Sequence, residues 1–153
     1  MMKKQPRISA RACVRRNGRI LLSKYKDDRG FWYVMPGGGQ CAGETLQECL
    51  VREVEEELGV VVKVGNLMYI REIIADRHQD TNLPDGFHQV EVFFECSLPD
   101  GSEPQLGRTP DPGQVGHEWV GLDRLTDILF FPIEIADKVT HPDLSGQYLG
   151  EMR

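Results

Sequence analysis

Apolar and polar residues alternate in short runs through residues 8–35, which predicts β-strands. Two such runs, residues 8–16 and 19–25, flank Asn17-Gly18, a dipeptide that strongly favours the two-residue turn of a β-hairpin. An aromatic and β-branched run over residues 31–35 predicts a third strand, which Pro36 ends. The pattern therefore predicts an antiparallel hairpin and one further strand.

The apolar period lengthens to that of an α-helix after residue 44. Four aliphatic residues recur at intervals of four along one side of such a helix: Leu46, Leu50, Val54 and Leu58. Thr45 and Glu48 form the pair of a capping box, and Gly59 is the residue type that most often ends a helix. The sequence therefore predicts one helix that begins after Thr45 and ends at Leu58.

The second half of the chain has less regular patterns. It predicts a long or broken strand over residues 60–75 with a turn at Gly65-Asn66, a strand over 87–98, a surface loop over 99–116, a short strand over 118–121, helical segments over 122–129 and 133–139, and an irregular tail. Strands and helices that mix without regular alternation favour an α+β fold. Because the sequence has no internal repeat and no linker, we expect one domain over residues 1–153.

Composition and charge narrow the classes of partner. The chain has 153 residues, of which 40% are hydrophobic and 27% charged, as is ordinary for a globular domain. Its formal net charge of −6 provides no general basic field for long nucleic acid, and a small anionic ligand would need a metal ion or local arginines. No apolar run is long enough for a signal peptide or a membrane span. We therefore expect a small-molecule partner, and neither long nucleic acid nor a membrane.

The four cysteines are scattered along the chain: Cys13, Cys41, Cys49 and Cys96. They contain no close pair of the kind that binds zinc or forms a redox motif. A chain of this length builds a hydrophobic core without disulfides. We therefore expect reduced thiols and a cytoplasmic protein.

Three glutamates of the predicted helix lie where a surface helix would not place them. Glu53 and Glu57 follow Leu46 and Leu50 by seven positions, so both fall on or beside the apolar stripe, and Glu56 borders the same side. Their mutual repulsion destabilises a helix by about 0.2–0.5 kcal/mol per pair, and their desolvation beside a core costs more. A hard divalent cation would offset both costs, because such ions prefer clustered carboxylate oxygens.

The alternative is a charge-rich helix end that is held by salt bridges. Arg52 supports this alternative, because it lies four positions after Glu48 and four before Glu56. One arginine does not neutralise three further glutamates, however, and no lysine lies within the helix. The spacing alone favours a metal site and leaves both interpretations open.

The segment from Gly38 to Val60 carries a pattern that is more specific than the helix itself. With U for an aliphatic residue, it reads G-x5-E-x7-R-E-U-x-E-E-x-G-U, and all nine defined positions are filled. In this pattern the sequence resembles the Nudix hydrolase family, whose signature is this Nudix box. Pro36-Gly37-Gly38 after a predicted strand is similar to the usual entry to the box.

The resemblance implies a fold and a metal-dependent chemistry. The fold is an α/β/α sandwich around a mixed sheet, in which the box forms a loop–helix–loop. The ligands of Mg²⁺, or of Mn²⁺, would be the following groups carried over by position: Glu53, Glu56, Glu57 and the carbonyl of Gly38. Glu44 would support the helix start or a second metal ion, and Arg52 would orient the glutamates. Glu53 is our first choice for the base that deprotonates the attacking water.

The resemblance also implies a substrate class. Members of the family hydrolyse the diphosphate linkage of a nucleoside diphosphate joined to another group, as in nucleoside triphosphates, ADP-ribose, dinucleotides and nucleotide sugars. The alternative is a nucleotide-sensing or regulatory module that keeps the fold without turnover, against which the complete set of box glutamates argues. Homodimers are common in the family, so a homodimer is an alternative to a monomer.

Outside the box the sequence offers weaker candidates for substrate binding. Many members of the family have a loop glutamate where this chain has Gln114, and Asp111 and Glu118 are the nearby acids that would substitute for it. Arg11 and Glu91 are candidates on predicted strands. Their alternatives are a solvated arginine and a carboxylate on the surface of the sheet.

Two aromatic residues next to the glycine-rich loop also have two interpretations. Trp32 and Tyr33 would stack on a nucleobase or pack beneath the loop, and the sequence favours packing. The four histidines have no paired spacing, so zinc ligation is not expected.

Overall fold

The computed structural model describes residues 4–79, 81–141 and 146–153. Strands β1 (Arg7–Arg16) and β2 (Arg19–Asp27) form the predicted hairpin. Its turn residues Asn17 and Gly18 have φ angles of 53° and 73°, the left-handed region that this two-residue turn requires. The predicted third strand is β3 (Gly30–Val34), which pairs antiparallel with β2.

The strands belong to a mixed sheet that is centred on β1. The remaining strands of the described residues are β4 (Gly37–Gly39), β5 (Lys63–Ile74), β6 (His88–Ser97), β7 (Gln114–Gly121), β8 (Phe130–Phe131) and β9 (Gln147–Glu151). Their order is β8-β3-β2-β1-β6-β5-β9, while β4 pairs with β1 and β7 with β2. Strand β1 runs parallel to β6 and antiparallel to β4 and β2, so the predicted mixed sheet is confirmed.

Helix α1 (Leu46–Leu58) covers one face of this sheet. Its aliphatic stripe packs against alternate residues of β1, β2 and β6, including Ala12, Leu21 and Phe94. Leu46 at its start is partly buried, and the other three residues of the stripe are fully buried. The residues between them, such as Cys13, Leu22 and Phe93, point to the other face and pack with helix α2 (Ala136–Thr140). Helices therefore lie on both faces, which confirms the α/β/α sandwich and the α+β class.

Three predictions for the second half of the chain were wrong. Gly65-Asn66 forms no turn, because β5 runs through it and its register against β6 shifts there instead. Strand β7 begins at Gln114, so the loop before it is shorter than expected. The tail was predicted to be irregular, but it contains β9, which pairs with β5. Backbone hydrogen bonds form this pairing, so the side chains of β9 show no alternation of apolar and polar residues from which the strand could be predicted. Residues 142–145 of the tail lie outside the described residues.

The two predicted helical segments are present but contain more 3₁₀ turn than α-helix. Leu122–Asp127 is a 3₁₀ helix, and a second 3₁₀ turn, Ile133–Ile135, leads directly into α2. Both pack on the core through Leu125 and Ile135.

All four cysteines are free, and Cys13, Cys49 and Cys96 are buried. Within the part of the chain that the structure describes, no helix has the length and apolarity needed to cross a membrane.

Candidate active site

The capping box at the start of α1 fixes the side of the helix that meets the sheet. Thr45 Oγ1 accepts a hydrogen bond from the Glu48 amide at 3.1 Å, and Glu48 Oε2 accepts one from the Thr45 amide at 3.2 Å. Because the aliphatic stripe of α1 packs on the sheet, Glu56 lies at the edge of the interface between helix and sheet, and Glu53 and Glu57 lie further inside it. The exposed fraction is 44% for the side chain of Glu56, 14% for that of Glu53 and 1% for Glu57.

A cavity of about 580 Å³ opens beside Glu53, which lines it. Gly38, Glu53 and Asp111 line one end of the cavity. Arg11 and Glu91 line it along the sheet, and Trp32 belongs to an aromatic wall. Its volume is in the range of small-molecule sites in proteins. A larger and more open groove of about 1200 Å³ lies on the outer face of α1, where Arg52, Glu56 and the loop 105–109 line it. We place the candidate site in the smaller cavity, because its lining joins Glu53 to three buried polar residues of the sheet, Arg71, Gln89 and Glu91.

Glu57 is the most deeply buried acid of α1. Its Oε2 accepts a hydrogen bond from Ser23 Oγ at 3.4 Å, while its Oε1 is buried without a hydrogen-bond partner among the described residues. Burial raises the pKa of Glu57 to about 8; the charge of Arg11 opposes this rise, and Asp111 and Glu53 add to it. An unpartnered buried polar group costs about 1–3 kcal/mol, so a proton or a cation is expected at this oxygen.

Glu53 occupies the space that a side chain at position 38 would take. A Cβ atom built on Gly38 would lie 2.4 Å from the Cδ and Oε2 atoms of Glu53, closer than any real contact allows. Gly38 lies in β4 and pairs with Ala10 of β1, so the glycine brings its backbone directly against the carboxylate. Burial also raises the pKa of Glu53, against the opposing effect of its hydrogen bond from Arg52.

Arg52 binds three carboxylates of the box. Its guanidinium nitrogens lie 2.6 Å from Glu44, 2.9 Å from Glu53 and 3.4 Å from Glu56. Hydrogen bonds from Arg52 lower the pKa of Glu44 to about 2. Salt bridges therefore do hold the accessible side of the helix, but among the described residues none is formed with the buried Glu57. Arg52 also holds the loop before the helix, because it donates to the Gly39 carbonyl at 3.1 Å.

The oxygen atoms of these residues are of the type that binds a hard divalent cation, although the side chains do not converge on one point in this structure. Among the described residues, no three His, Cys, Asp or Glu side chains converge closely enough to hold a metal ion, and Glu53 and Glu56 each turn an oxygen onto Arg52. Carboxylate oxygens and a backbone carbonyl are the preferred ligands of Mg²⁺. The unpartnered oxygen of Glu57 and the backbone carbonyl of Gly38, which accepts a hydrogen bond from Cys49 Sγ at 3.5 Å, supply both types. The ligand roles of these residues stay a prediction.

The loop before β7 closes the end of α1 and brings a further acid to the site. Amides of Gln105, Gly107 and Thr109 donate to the last carbonyls of α1, those of Leu58, Glu57 and Glu56. The chain then continues to Asp111, whose Oδ2 accepts a hydrogen bond from Tyr25 Oη at 3.1 Å. Asp111 lies close enough to Glu57 to raise the pKa of that residue. Of the two acids considered as substitutes for a loop glutamate, Asp111 is the one at the site.

The floor of the cavity is a row of buried charges on the sheet face that points away from α1. Glu91 Oε2 accepts a hydrogen bond from Arg71 Nε at 3.0 Å, and Glu91 Oε1 lies 3.7 Å from Arg11 Nε. Gln89 donates to the same Oε1 at 2.8 Å. Arg11 and Glu91 are thus inside the cavity, and the alternatives that placed them on the surface were wrong. Their role in substrate binding stays a prediction.

Arg71 is a site residue that was not predicted from the sequence, because its place opposite Glu91 depends on the register of the sheet. Arg71 is 5% exposed and lies directly opposite Glu91 in the register of β5 and β6. Residues that lie opposite each other in a sheet share a face, so the pair follows once the register is known. The bulge in β5 changes that register, and the sequence does not reveal it.

The structure places one candidate away from the cavity and separates two others. Glu118 lies outside the cavity, because its half-exposed carboxylate accepts a hydrogen bond from Tyr33 Oη at 3.0 Å and pairs with Lys24 at 3.4 Å. Tyr33 is buried in the core, as the packing interpretation expects, whereas Trp32 lines the cavity. Successive residues of β3 point to opposite faces, so the two aromatic residues have different surroundings.

Comparison with known sequences identifies the family of the chain. The chain matches the family described as NUDIX domain over residues 5–144. It is 45% identical over 88 residues to the nucleoside triphosphatase NudI of Enterobacter sp. (strain 638), which covers 54% of this chain and 62% of that protein. It is 35% identical over 65 residues to an ADP-ribose pyrophosphatase of Methanocaldococcus jannaschii, which covers 41% of this chain and 38% of that protein. The chain thus spans less than two thirds of the length of these relatives.

Solved structures show the same fold. A MutT NUDIX hydrolase from Burkholderia pseudomallei is similar with a TM-score of 0.66 and 30% identity, covering 87% of this chain and 96% of that chain. A NUDIX hydrolase from Nitrosomonas europaea has a TM-score of 0.70 at 19% identity, covering 90% of this chain and 89% of that chain. At 19% identity, this second likeness shows the fold alone.

Proposed function

The chain belongs to the NUDIX family, and on this basis we propose that it is a hydrolase of nucleotide diphosphate linkages. The substrate is a nucleoside diphosphate joined to another group, and the cofactor is Mg²⁺, with Mn²⁺ as a substitute. The proposal draws on the complete box in the sequence and on the cavity that opens at two of its residues, Gly38 and Glu53.

The observation that carries the proposal is the buried carboxylate of Glu57. It has one oxygen without a hydrogen-bond partner and a pKa raised to about 8, and it lies beside Glu53 and Asp111. A fold does not bury such a group for stability, because hydrophobic residues of the same size cost less. The arrangement is typical of a site that is completed by a ligand with positive charge.

We assign the cation to Glu53, Glu56, Glu57 and the carbonyl of Gly38. Glu44 would act through Arg52, which it holds with a charge-assisted hydrogen bond of 2.6 Å. When bound, the ion would offset the charge of the diphosphate and make water easier to deprotonate. Glu53 accepts the proton of the attacking water, whose oxygen bonds to phosphorus while the bridging oxygen leaves with its electron pair. Asp111 is the second candidate for this base, because it reaches the same end of the cavity.

The buried arginines would hold the other charges of the substrate. Arg11 and Arg71 lie on either side of one carboxylate, that of Glu91, so this cluster carries a net positive charge. Positive charge in a partly dry cavity stabilises phosphate oxygens more strongly than it does in water. The arginines thus complement the cation at the glutamate end.

The experiment is a hydrolysis assay with one compound from each of four classes: a nucleoside triphosphate, ADP-ribose, a dinucleotide and a nucleotide sugar. Each is incubated with MgCl₂, with MnCl₂ or with EDTA, and the release of nucleoside monophosphate is measured by chromatography. We expect metal-dependent release from at least one class and its loss in EDTA. A Glu57→Gln variant should lose most of this activity and remain folded.

The second candidate function is a nucleotide sensor without turnover. The intact box glutamates argue against it, because a binding module has no need for all of them. The same assay separates the two functions. Binding of these nucleotides without release of any monophosphate in either metal would favour the sensor.

A further inference from the structure

The aromatic wall of the cavity is built around one partly buried ring, that of Trp32. Trp32 of β3 lies directly opposite Tyr25 of β2 in the sheet, and their rings stack with centroids 4.3 Å apart and planes inclined by 16°. Phe131 meets Trp32 edge-on, with centroids 6.3 Å apart and planes inclined by 75°. Trp32 is nevertheless only half-buried and lines the cavity. Its ring is therefore held rigidly by two neighbours and still accessible from the cavity.

The surroundings of this ring combine apolar and polar groups. Leu83 and Phe87 line the cavity on the apolar side. Asp27 and Asn82 also line it, and Asn82 Nδ2 lies 3.4 Å from Asp27 Oδ2. Flat aromatic ligands with polar edges need both features, because their faces stack and their edges form hydrogen bonds. A nucleobase is such a ligand.

The aromatic wall and the glutamates are joined by a short chain of contacts. Trp32 stacks on Tyr25, and the hydroxyl of Tyr25 donates to Asp111 at 3.1 Å. Asp111 in turn neighbours Glu57. One tyrosine ring thus separates the indole from the acidic end, so one nucleotide can contact both.

We propose that Trp32 is the platform on which the nucleobase of the substrate stacks, with the diphosphate extending past Tyr25 towards Glu53 and Glu57. This assignment rests on the proposed function, because it takes the ligand to be a nucleotide. It orients the substrate in the cavity, with its nucleoside over β3 and its other substituent towards Arg11 and Arg71.

The other tryptophan of the chain makes a matched control. Trp119 of β7 lies outside the lining of the cavity, and the Arg16 guanidinium covers its ring at 4.4 Å from the centroid. The chain contains two tryptophans. A Trp119→Phe variant therefore has Trp32 as its single indole, and a Trp32→Phe variant has only Trp119.

The experiment is a titration of indole fluorescence in these two variants. The probes are adenosine, guanosine, cytidine and uridine 5′-monophosphates, which have no diphosphate to hydrolyse, and ribose 5-phosphate, which has no base. We expect saturable quenching of the Trp119→Phe protein by at least one nucleotide and none by ribose 5-phosphate. The Trp32→Phe protein should show no saturable quenching. Equal quenching in both variants, or none by any nucleotide in the Trp119→Phe protein, would overturn the assignment.

Kinetics supply a second readout that packing alone would not move. With a substrate that the protein hydrolyses, Trp32→Ala should raise KM about tenfold or more and change kcat little, because stacking of one base contributes about that factor. Trp32→Phe keeps an aromatic face and should restore most of the loss. A fall in kcat with unchanged KM would contradict the platform. Quenching without hydrolysis of any diphosphate would reject the proposed function alone, whereas hydrolysis without quenching would reject the platform alone.

Discussion

Arg71 and Glu91 form an ion pair of 3.0 Å in which the two side chains are only 6% and 7% exposed. Although burial alone would raise it, the charges of Arg11 and Arg71 hold the pKa of Glu91 below its ordinary value. Arg71 also donates to the carbonyl of Met152 at 2.6 Å, so the pair anchors the segment after β9 to the centre of the sheet. Because buried ion pairs seldom add net stability, a charged floor indicates that the cavity serves a polar ligand.

Removal of Glu91 should destabilise the protein strongly. Glu91→Ala leaves two arginines buried without their carboxylate, and we expect a loss of about 3–5 kcal/mol in the free energy of unfolding. Urea denaturation followed by circular dichroism measures it. Glu95→Gln is the matched control on the same strand, because Glu95 pairs with Arg15 at 3.0 Å near the surface and should cost about 1 kcal/mol or less. Equal losses in the two variants would contradict a structural role for the buried pair.

A methyl group at position 38 should displace Glu53 and weaken metal binding. The Cβ atom of Gly38→Ala would meet only the end of the Glu53 side chain, at 2.4 Å, so the carboxylate moves and the fold persists. We expect the affinity for Mn²⁺, measured by calorimetry, to fall by about 10–100-fold with a small change in the unfolding midpoint.

Gly39→Ala is the control for this substitution. Its Cβ atom would meet the Arg7 guanidinium at 2.5 Å and no box carboxylate among its nearest atoms. It should therefore retain the affinity for Mn²⁺. A loss of similar size in both variants would show that the backbone of β4, rather than Glu53, responds to the added carbon.

The sequence predicts the glutamate helix well because its determinants are local. Thr45 and Glu48 are three residues apart, and the aliphatic stripe repeats within one helix, so no distant contact is needed to place Glu57 inwards. The hairpin at Asn17-Gly18 is likewise decided by two residues. Both features were confirmed.

The parts that failed depend on contacts between distant segments. Strand β9 exists because its backbone pairs with β5, and the loop that carries Asp111 is fixed by carbonyls at the end of α1. The register of β5 against β6, which pairs Arg71 with Glu91, includes a bulge near Gly65. Such pairings follow from the assembled sheet, so a single sequence without homologues does not reveal them.

Substitution of the two candidate bases should have unequal effects on turnover. If Glu53 accepts the proton, Glu53→Gln lowers kcat by about 10²–10⁴-fold at saturating Mg²⁺, as is usual for loss of a general base. The amide oxygen of Asp111→Asn is still able to accept the hydrogen bond from Tyr25 Oη, so this variant should lower kcat by about tenfold or less. Steady-state kinetics on one substrate measure both. A larger loss in Asp111→Asn would transfer the role of base to Asp111.

The burial of Glu57 should make the stability of the metal-free protein depend on pH. Its pKa rises from an ordinary 4.5 to about 8 on folding, so the folded state binds the proton more tightly than the unfolded state does. The stability that this provides is complete below about pH 4.5 and is lost as the pH rises towards about 8. Gln does not titrate, so in EDTA the wild type should lose stability relative to Glu57→Gln as the pH rises from about 5 to 8. The difference between their free energies of unfolding should change by an amount on the order of a few kcal/mol. Urea unfolding at several pH values measures the difference, and Mg²⁺ should reduce it by binding the ionised carboxylate. Parallel pH profiles for the two proteins in EDTA would show that Glu57 is ionised in the folded state without a metal ion.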